Sequence, residues 1–433
     1  MSSSCVRLLR GPLACLLAFT VLPLSAQQDP KLRQRVVKDL GHGGPESIPK
    51  LEPYLGDSDI SVRIETVKAI DDIGGPRSLD PLVRALGDVD PEVQIRATDG
   101  LVNFYLPGYL KTGLTASIKR AGTSIKGHFT DTNDQVIDPY VQVRPDVIQG
   151  LGKVARGGAS MESRANAARA VGILRGKAAI PDLVEAIRNK DDQVIYESLV
   201  ALQKIRDPSA GPQIAFLLRD LKPKVQSAAL DTIGLLQDRS SIPQVRNALD
   251  RSSDPKVRRS ALTALAMMPD RDTHGVFLSY LKDKDDNMRA AAAEGLARAK
   301  DPQDLVALNK AFDDETKPKA KLGYAFALTS LGRRESTVNS PLYYVVTQLD
   351  SRLYRDVAQS YLTELARDEA TRKALYPYLQ QATKDQKIGL ARVLATSGDR
   401  DSVPYLETIS HDTDSEVAQE GLRALRNLRA RMN

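Results

Sequence analysis

Tryptophan is absent from the 433-residue chain and aromatic residues make up only 5% of it, which excludes a β-rich core built on large rings. Cysteine is nearly absent: Cys5 and Cys15 are the only two, both ahead of residue 26. The remaining chain can build neither a disulfide framework nor a thiolate metal site. Histidine is scarce, at His42, His128, His274 and His411, and none is followed by glutamate. Four imidazoles so far apart do not converge easily on one ion, so no metal or cofactor is expected. Charge of one sign is also missing. The formal balance is +6, and it falls to +4 if Arg7 and Arg10 are removed with the leader. That is too mild to suggest nucleic acid as a partner, and none is expected.

Long apolar runs are missing as well, with one exception. Leu13 to Leu24 follows the basic pair Arg7 and Arg10 and ends at Leu24-Ser25-Ala26. The run is too short to span a bilayer well, and small residues close it, so residues 1–26 read as a cleaved secretory signal. The expected mature protein starts near Gln27 and is exported, to a periplasm or beyond.

What the chain has in abundance is alanine, leucine and a rhythm. VRIETVKAI (62–70), VQSAALDTI (225–233), VRRSALTAL (257–265) and MRAAAAEGL (288–296) share an apolar residue, a mostly small one four later, and aliphatics near positions seven and eight. That is the stripe of an amphipathic helix. The same anchor falls at Leu32, Val62, Val93, Ser163, Val194, Val225, Val257, Met288, Ala320, Val357, Lys387 and Val417. Successive spacings are 30, 31, 70, 31, 31, 32, 31, 32, 37, 30 and 30. After each first helix a polar turn leads to a second apolar run, often opened by proline, as in PLVRAL (81–86), PDLVEAI (181–187), PQVRNAL (243–249) and PYLETI (404–409). Aspartate-rich joints such as DVDPEV (88–93) and SSDPKV (252–257) stand where N-caps are needed. Helices this short cannot bury their stripes alone, so they must stack. The fold class is therefore all-α: a solenoid of about twelve two-helix units of period about 31, interrupted by one insertion.

The pattern resembles HEAT repeats, of the short bacterial kind also found in phycobilisome lyases, with an armadillo-type solenoid implied. The family's Asp-x-x-Val-Arg element stands as Asp59 to Arg63, and Asp254 to Arg258 and Asp285 to Arg289 keep its aspartate and arginine. The resemblance implies that such pairs tie adjacent turns together. Many HEAT proteins only bind, so an enzyme would have to show its residues. A helical-repeat hydroxylase of similar fold uses His-Glu pairs, which this chain lacks. Ser47-Ile-Pro-Lys50 fits S-x-x-K and Lys111-Thr-Gly113 fits K-T-G, but a β-strand should wall such a site and S-D-N is missing. Gly176-Lys177 is followed by Ala178, which carries no hydroxyl for a phosphate-bound metal. The polar run from Asp131 has Val136 where a calcium loop needs glycine. A lyase activity is the third reading, because only scaffold positions match.

Three breaks remain. GYLKTGLTASIKRAGTSIKGHF (108–129) lies in the 70-residue interval and carries no acidic side chain. Leu110, Leu114, Ile118, Ile125 and Phe129 recur at helical spacing, with Lys111, Lys119, Arg120 and Lys126 between them. Residues 130–145 read as extended, and 145–155 resumes a helix. The insert either covers apolar surface of the scaffold or docks an acidic partner or an anionic membrane face. The second break is tyrosine, with seven of fourteen within 324–378; Tyr343, Tyr344 and Tyr354 are candidate partner contacts, and packing explains the cluster equally well. Third, Arg423, Arg426, Arg429 and Arg431 in the last helix read as a solvent-facing polar cap. The divisions expected are 1–26 signal, 27–106 N-terminal repeats, 107–160 basic insertion with an irregular unit, and 161–433 C-terminal solenoid. The function expected is a non-catalytic exported scaffold that binds another protein through an extended surface of the solenoid. The alternative is a membrane-surface protein docked through 108–129.

Overall fold

In a computed structural model, described for residues 29–109 and 135–432, every element among the described residues is helical. The first helices of the units are α1 (Pro30–Gly41), α2 (Ile60–Ile73), α3 (Pro91–Tyr105), α4 (Met161–Ile173), α5 (Asp192–Ile205) and α6 (Pro223–Leu236). They continue as α7 (Pro255–Met267), α8 (Asp286–Ala299), α9 (Pro318–Ser330), α10 (Arg355–Leu365), α11 (Lys384–Ser397) and α12 (Ser415–Met432). Each repeat anchor is the third residue of its helix, except Lys387, which is the fourth of α11. Val62, Val93, Val194, Val225 and Val257 are buried outright, while Leu32 at the open end of the array is exposed.

Every first helix packs on the next, forming one layer. The second halves form the other, and they are shorter than helices of full length. Most open with a single 3-10 turn, such as Pro76–Ser78 before Leu79–Ala85 and Arg239–Ser241 before Ile242–Arg251. Proline follows at the second helical position in Ile180–Ala186, Ile242–Arg251 and Val403–Ser410, where its missing N–H would have had no partner. Between the first helices, Gly172 and Gly234 permit close approach: a Cβ there would lie 2.7 Å from the Ala201 Cα and 2.8 Å from the Ala264 Cα. One apolar core runs from Val37 to Val393, and a second in the last units is bridged to it by Leu379.

The joints are built from aspartate and arginine. Asp59, Asp90, Asp191, Asp254 and Asp285 cap α2, α3, α5, α7 and α8 by accepting from backbone N–H groups in the first turn. The arginines reach forward to the next joint. Arg63 donates to both oxygens of Asp88 at 2.7 and 3.0 Å, and Arg289 to Glu315 at 2.8 and 3.1 Å. Arg33 repeats this toward Asp57. In α7 the role moves by one residue: Arg258 meets the Tyr280 hydroxyl, and Arg259 takes Asp285 at 2.7 Å. The irregular 37-residue spacing comes from the longer connection between α9 and the helix Pro341–Thr347, through Gly332 to Ser340.

Candidate functional site

The insertion interrupts the third unit between its two helices. Helix Pro145–Gly157 belongs to the second layer, packed on Leu79–Ala85 and on Ile180–Ala186, so it is the partner of α3. The chain thus leaves the array past Tyr105 and re-enters it at Pro145, along the edge where the other units make only a short turn. Lys111, Lys119, Arg120 and Lys126 lie outside the described residues, as does the K-T-G at 111–113.

Both ends of the insertion are fixed. Returning, Ile137 is buried and its N–H donates to the Ile173 carbonyl at 3.0 Å, while the Lys204 ammonium donates to the Gln135 carbonyl at 3.2 Å. The Arg144 N–H donates to the Tyr105 hydroxyl, and the Arg144 guanidinium pairs with Asp80 and Asp146 at 2.6 Å. Residues 135–144 form neither helix nor strand, and the first part of the run expected to be extended, 130–134, lies outside the described residues. On the outgoing side Tyr109 meets Arg169, and desolvation at that spot pushes the phenol up to about 12. Arg169 and Glu197 are both buried and pair at 3.3 Å, with Gln193 donating to Glu197 at 2.7 Å.

That pair is one instance of a device the periodicity does not announce. The ninth residue of one first helix meets the sixth of the next: Asp99 with Asn166 at 3.0 Å, Arg169 with Glu197, Arg392 with Glu420 at 3.1 Å, and Asp231 with Ser260.

The return segment also reaches the end of the array. The Arg423 guanidinium donates to Asp138 at 2.7 Å, and Arg426 sits 6.0 Å from the Tyr140 ring centroid. Arg429 pairs with Glu407, and Arg431 donates to the Gly398 carbonyl. The terminal arginines are therefore exposed, as a polar cap requires, and also engaged with neighbouring groups. Burial pushes the Asp138 carboxyl up, yet the Arg423 hydrogen bond and charge hold it below the ordinary range. Arg423→Glu should cost under about 1 kcal/mol, with the loss recovered on adding Asp138→Arg, because the pair is partly exposed. A double-mutant cycle in thermal unfolding checks this, and zero coupling would mean that the contact is not kept in solution.

Of the clustered tyrosines, Tyr324, Tyr361 and Tyr376 are buried. The Tyr324 hydroxyl donates to the Leu281 carbonyl at 2.9 Å, Tyr361 stacks on Phe326 at 4.3 Å, and Tyr376 on Tyr405 at 3.9 Å. Tyr343, Tyr344 and Tyr354 are half-buried. Tyr344 meets Phe312 edge-on at 6.0 Å and Tyr343 faces Tyr378 at 6.4 Å, so the structure gives these rings packing partners and leaves part of each open. They stand in the ninth and tenth units, whereas the insertion leaves from the third.

The remaining motifs resolve into repeat positions. Ser47 is a small buried residue opening a second helix, the place taken by Ser78, Ser241 and Ser402 in other units, and Lys50 is exposed. His42 and His411 are exposed, and His274 lies 3.0 Å from Asp304. Among the described residues no three metal-binding side chains gather, and no helix is long and apolar enough to cross a membrane.

Comparison with known proteins follows the same architecture. The HEAT repeats family model matches residues 20–102, 212–273 and 242–329, and the PBS lyase HEAT-like repeat matches 163–189. Among solved structures the chain is similar to an engineered protein at 20% identity and a TM-score of 0.37, covering 88% of this chain and 98% of that one. It is similar to the complex of CpcE and CpcF of phycocyanin lyase from a Nostoc species at 17% identity and a TM-score of 0.33, covering 69% and 91%. A third likeness is to Kap121p bound to Pho4p, at 12% identity and a TM-score of 0.44, covering 93% and 56%. No curated protein matches the chain in sequence.

Proposed function

We propose that this chain, which is a HEAT-repeat protein, is an exported, non-catalytic scaffold that captures another protein through the edge from which its insertion emerges. The observation that carries the reading is the mounting of that insertion. A segment with Lys111, Lys119, Arg120 and Lys126 and no acid from 108 to 129 is spliced between two helices of a regular unit. Its ends are tied to α4, α5 and α12. Insertions on a rigid scaffold are where binding residues concentrate, and a basic one suits an acidic partner. Export rests on Arg7, Arg10 and the apolar run that follows.

The test has three arms. Cross-linking of the mature protein in its native envelope identifies the captured protein, and N-terminal sequencing of the same material should begin near Gln27. Lys119→Glu with Arg120→Glu should then abolish capture of the purified partner while the melting temperature barely moves, since exposed charge changes are worth under about 1 kcal/mol. Binding of the wild type to anionic vesicles without other proteins separates a membrane-surface role. Undiminished capture by the double reversal would reject docking through the insertion and leave it as a structural cover.

A further inference from the structure

Where a helix closes in the left-handed region, glycine is the residue at ease, because a Cβ crowds the neighbouring carbonyl. Four first helices here close in that region on other residues. φ is 49° at Arg175, 57° at Arg206, 55° at Gln237 and 55° at Lys300, at the ends of α4, α5, α6 and α8. All four side chains are exposed, and three are cations. Arg175 and Arg206 stand at matching caps of successive units, and Asp138 of the returning segment lines the same hollow as Arg175. Neither has a salt-bridge partner among the described residues. The aspartates that follow three of these caps, Asp207, Asp238 and Asp301, are engaged by the backbone N–H groups of Ser209, Ser240 and Gln303.

The same edge opens into a groove of about 510 Å³ that spans units six to ten. Arg298 and Arg334, on its wall, are paired with Glu364 at 2.8 Å and Asp368 at 3.1 Å. Arg239, Lys300 and Arg367 stand on the groove exposed, with the half-buried Met267 among the charges and Phe326 buried. Caps in the left-handed region that carry long cations in place of glycine lead into a groove where cations outnumber carboxylates and the half-buried Met267 lies among them. We infer that this edge, from unit four to unit ten, binds an extended acidic segment of a partner protein whose carboxylates alternate with apolar side chains. Glu364 and Asp368 inside the groove disfavour a densely charged polyphosphate. The inference rests on the scaffold reading and extends the contact along the edge from which the insertion emerges, past the point where the returning segment is tied to Ile173 and Lys204.

Glycine makes the test clean, because it fits a positive φ and removes the cation without straining the fold. The probe is a fluorescein-labelled twenty-residue peptide of alternating glutamate and leucine, long enough when extended to span units four to ten, with a glutamine-for-glutamate version as control, read by anisotropy on the full mature protein. Arg175→Gly, Arg206→Gly and Lys300→Gly combined should weaken binding of the acidic peptide about tenfold or more, with the melting temperature unchanged or raised. Lys119→Glu with Arg120→Glu should leave peptide binding at the wild-type level, so failure of the insertion to dock and failure of this edge give different results. Wild-type affinity in the triple variant, equal binding of the glutamine peptide, or tighter binding of inorganic polyphosphate than of the acidic peptide would each overturn the assignment.

Discussion

Glu197→Ala is expected to cost the array about 3–5 kcal/mol, the penalty for leaving a buried charge without its partner. Arg169 and Glu197 are 7% and 2% exposed, so water cannot replace the lost carboxylate. Gln193 loses its acceptor at the same time, and Tyr109 is left beside an uncompensated guanidinium. The cost falls where α4 meets α5, directly beneath the point at which the insertion leaves. Removing both charges is a different matter. Arg169→Met with Glu197→Leu should recover most of the stability, since apolar residues of similar volume avoid the desolvation of both ions. Urea unfolding followed by circular dichroism reads both variants. A Glu197→Ala loss under about 1 kcal/mol would show that the pair is solvated in the folded protein and does not hold the base of the insertion.

Much of the architecture was legible because a solenoid is locally determined. Each unit contacts its neighbours, so anchors such as Val62 and Val257, caps such as Asp59 and Asp254, and prolines such as Pro181 and Pro243 announce themselves within one period. The shortness of the second helices was not legible. Their apolar runs are continuous with the 3-10 turns, and no residue marks the change of hydrogen-bond register at Ser78 or Ser241. The insertion was visible as a 70-residue interval. Its place between α3 and Pro145–Gly157 was not, because that helix carries no mark of which layer it joins. Arg423 meeting Asp138 depends on a small rotation accumulated over nine units, which no local pattern encodes. The left-handed caps escaped for the opposite reason: glycine is the signal for that conformation, and Arg206 and Lys300 adopt it without one. For the insertion's cations and for Tyr343, Tyr344 and Tyr354, residue type and spacing alone could name candidates but could not show which surface a partner covers.

Asp231→Asn is expected to stabilise the protein at neutral pH and to do little at pH 4. In the pairing of successive first helices, Arg169 has Glu197, Arg392 has Glu420 and Asp99 has the Asn166 amide, but Asp231 faces only the Ser260 hydroxyl. Burial pushes its carboxyl up to about 6, and the Ser260 hydrogen bond recovers only part of that shift. The folded chain therefore holds a proton that the unfolded chain has released above its ordinary value of 3.8. Below that value both states are protonated and Asp231 contributes no difference. As the pH rises toward about 6 the unfolded state is progressively favoured, and above it the full penalty of ionising a desolvated carboxylate is in place, about 3 kcal/mol. Asparagine carries no charge to ionise and can still meet Ser260. The capping and paired carboxylates, Asp285 and Glu315 among them, are held below the ordinary range and pull the other way, so acid weakens wild type and variant alike. The informative quantity is the difference between the two proteins. Urea midpoints measured at intervals from pH 4 to pH 8 should show the variant gaining on the wild type through that window and then levelling off. A difference that stays flat across the range would mean that Asp231 ionises freely in the folded state and that water reaches the space between α6 and α7.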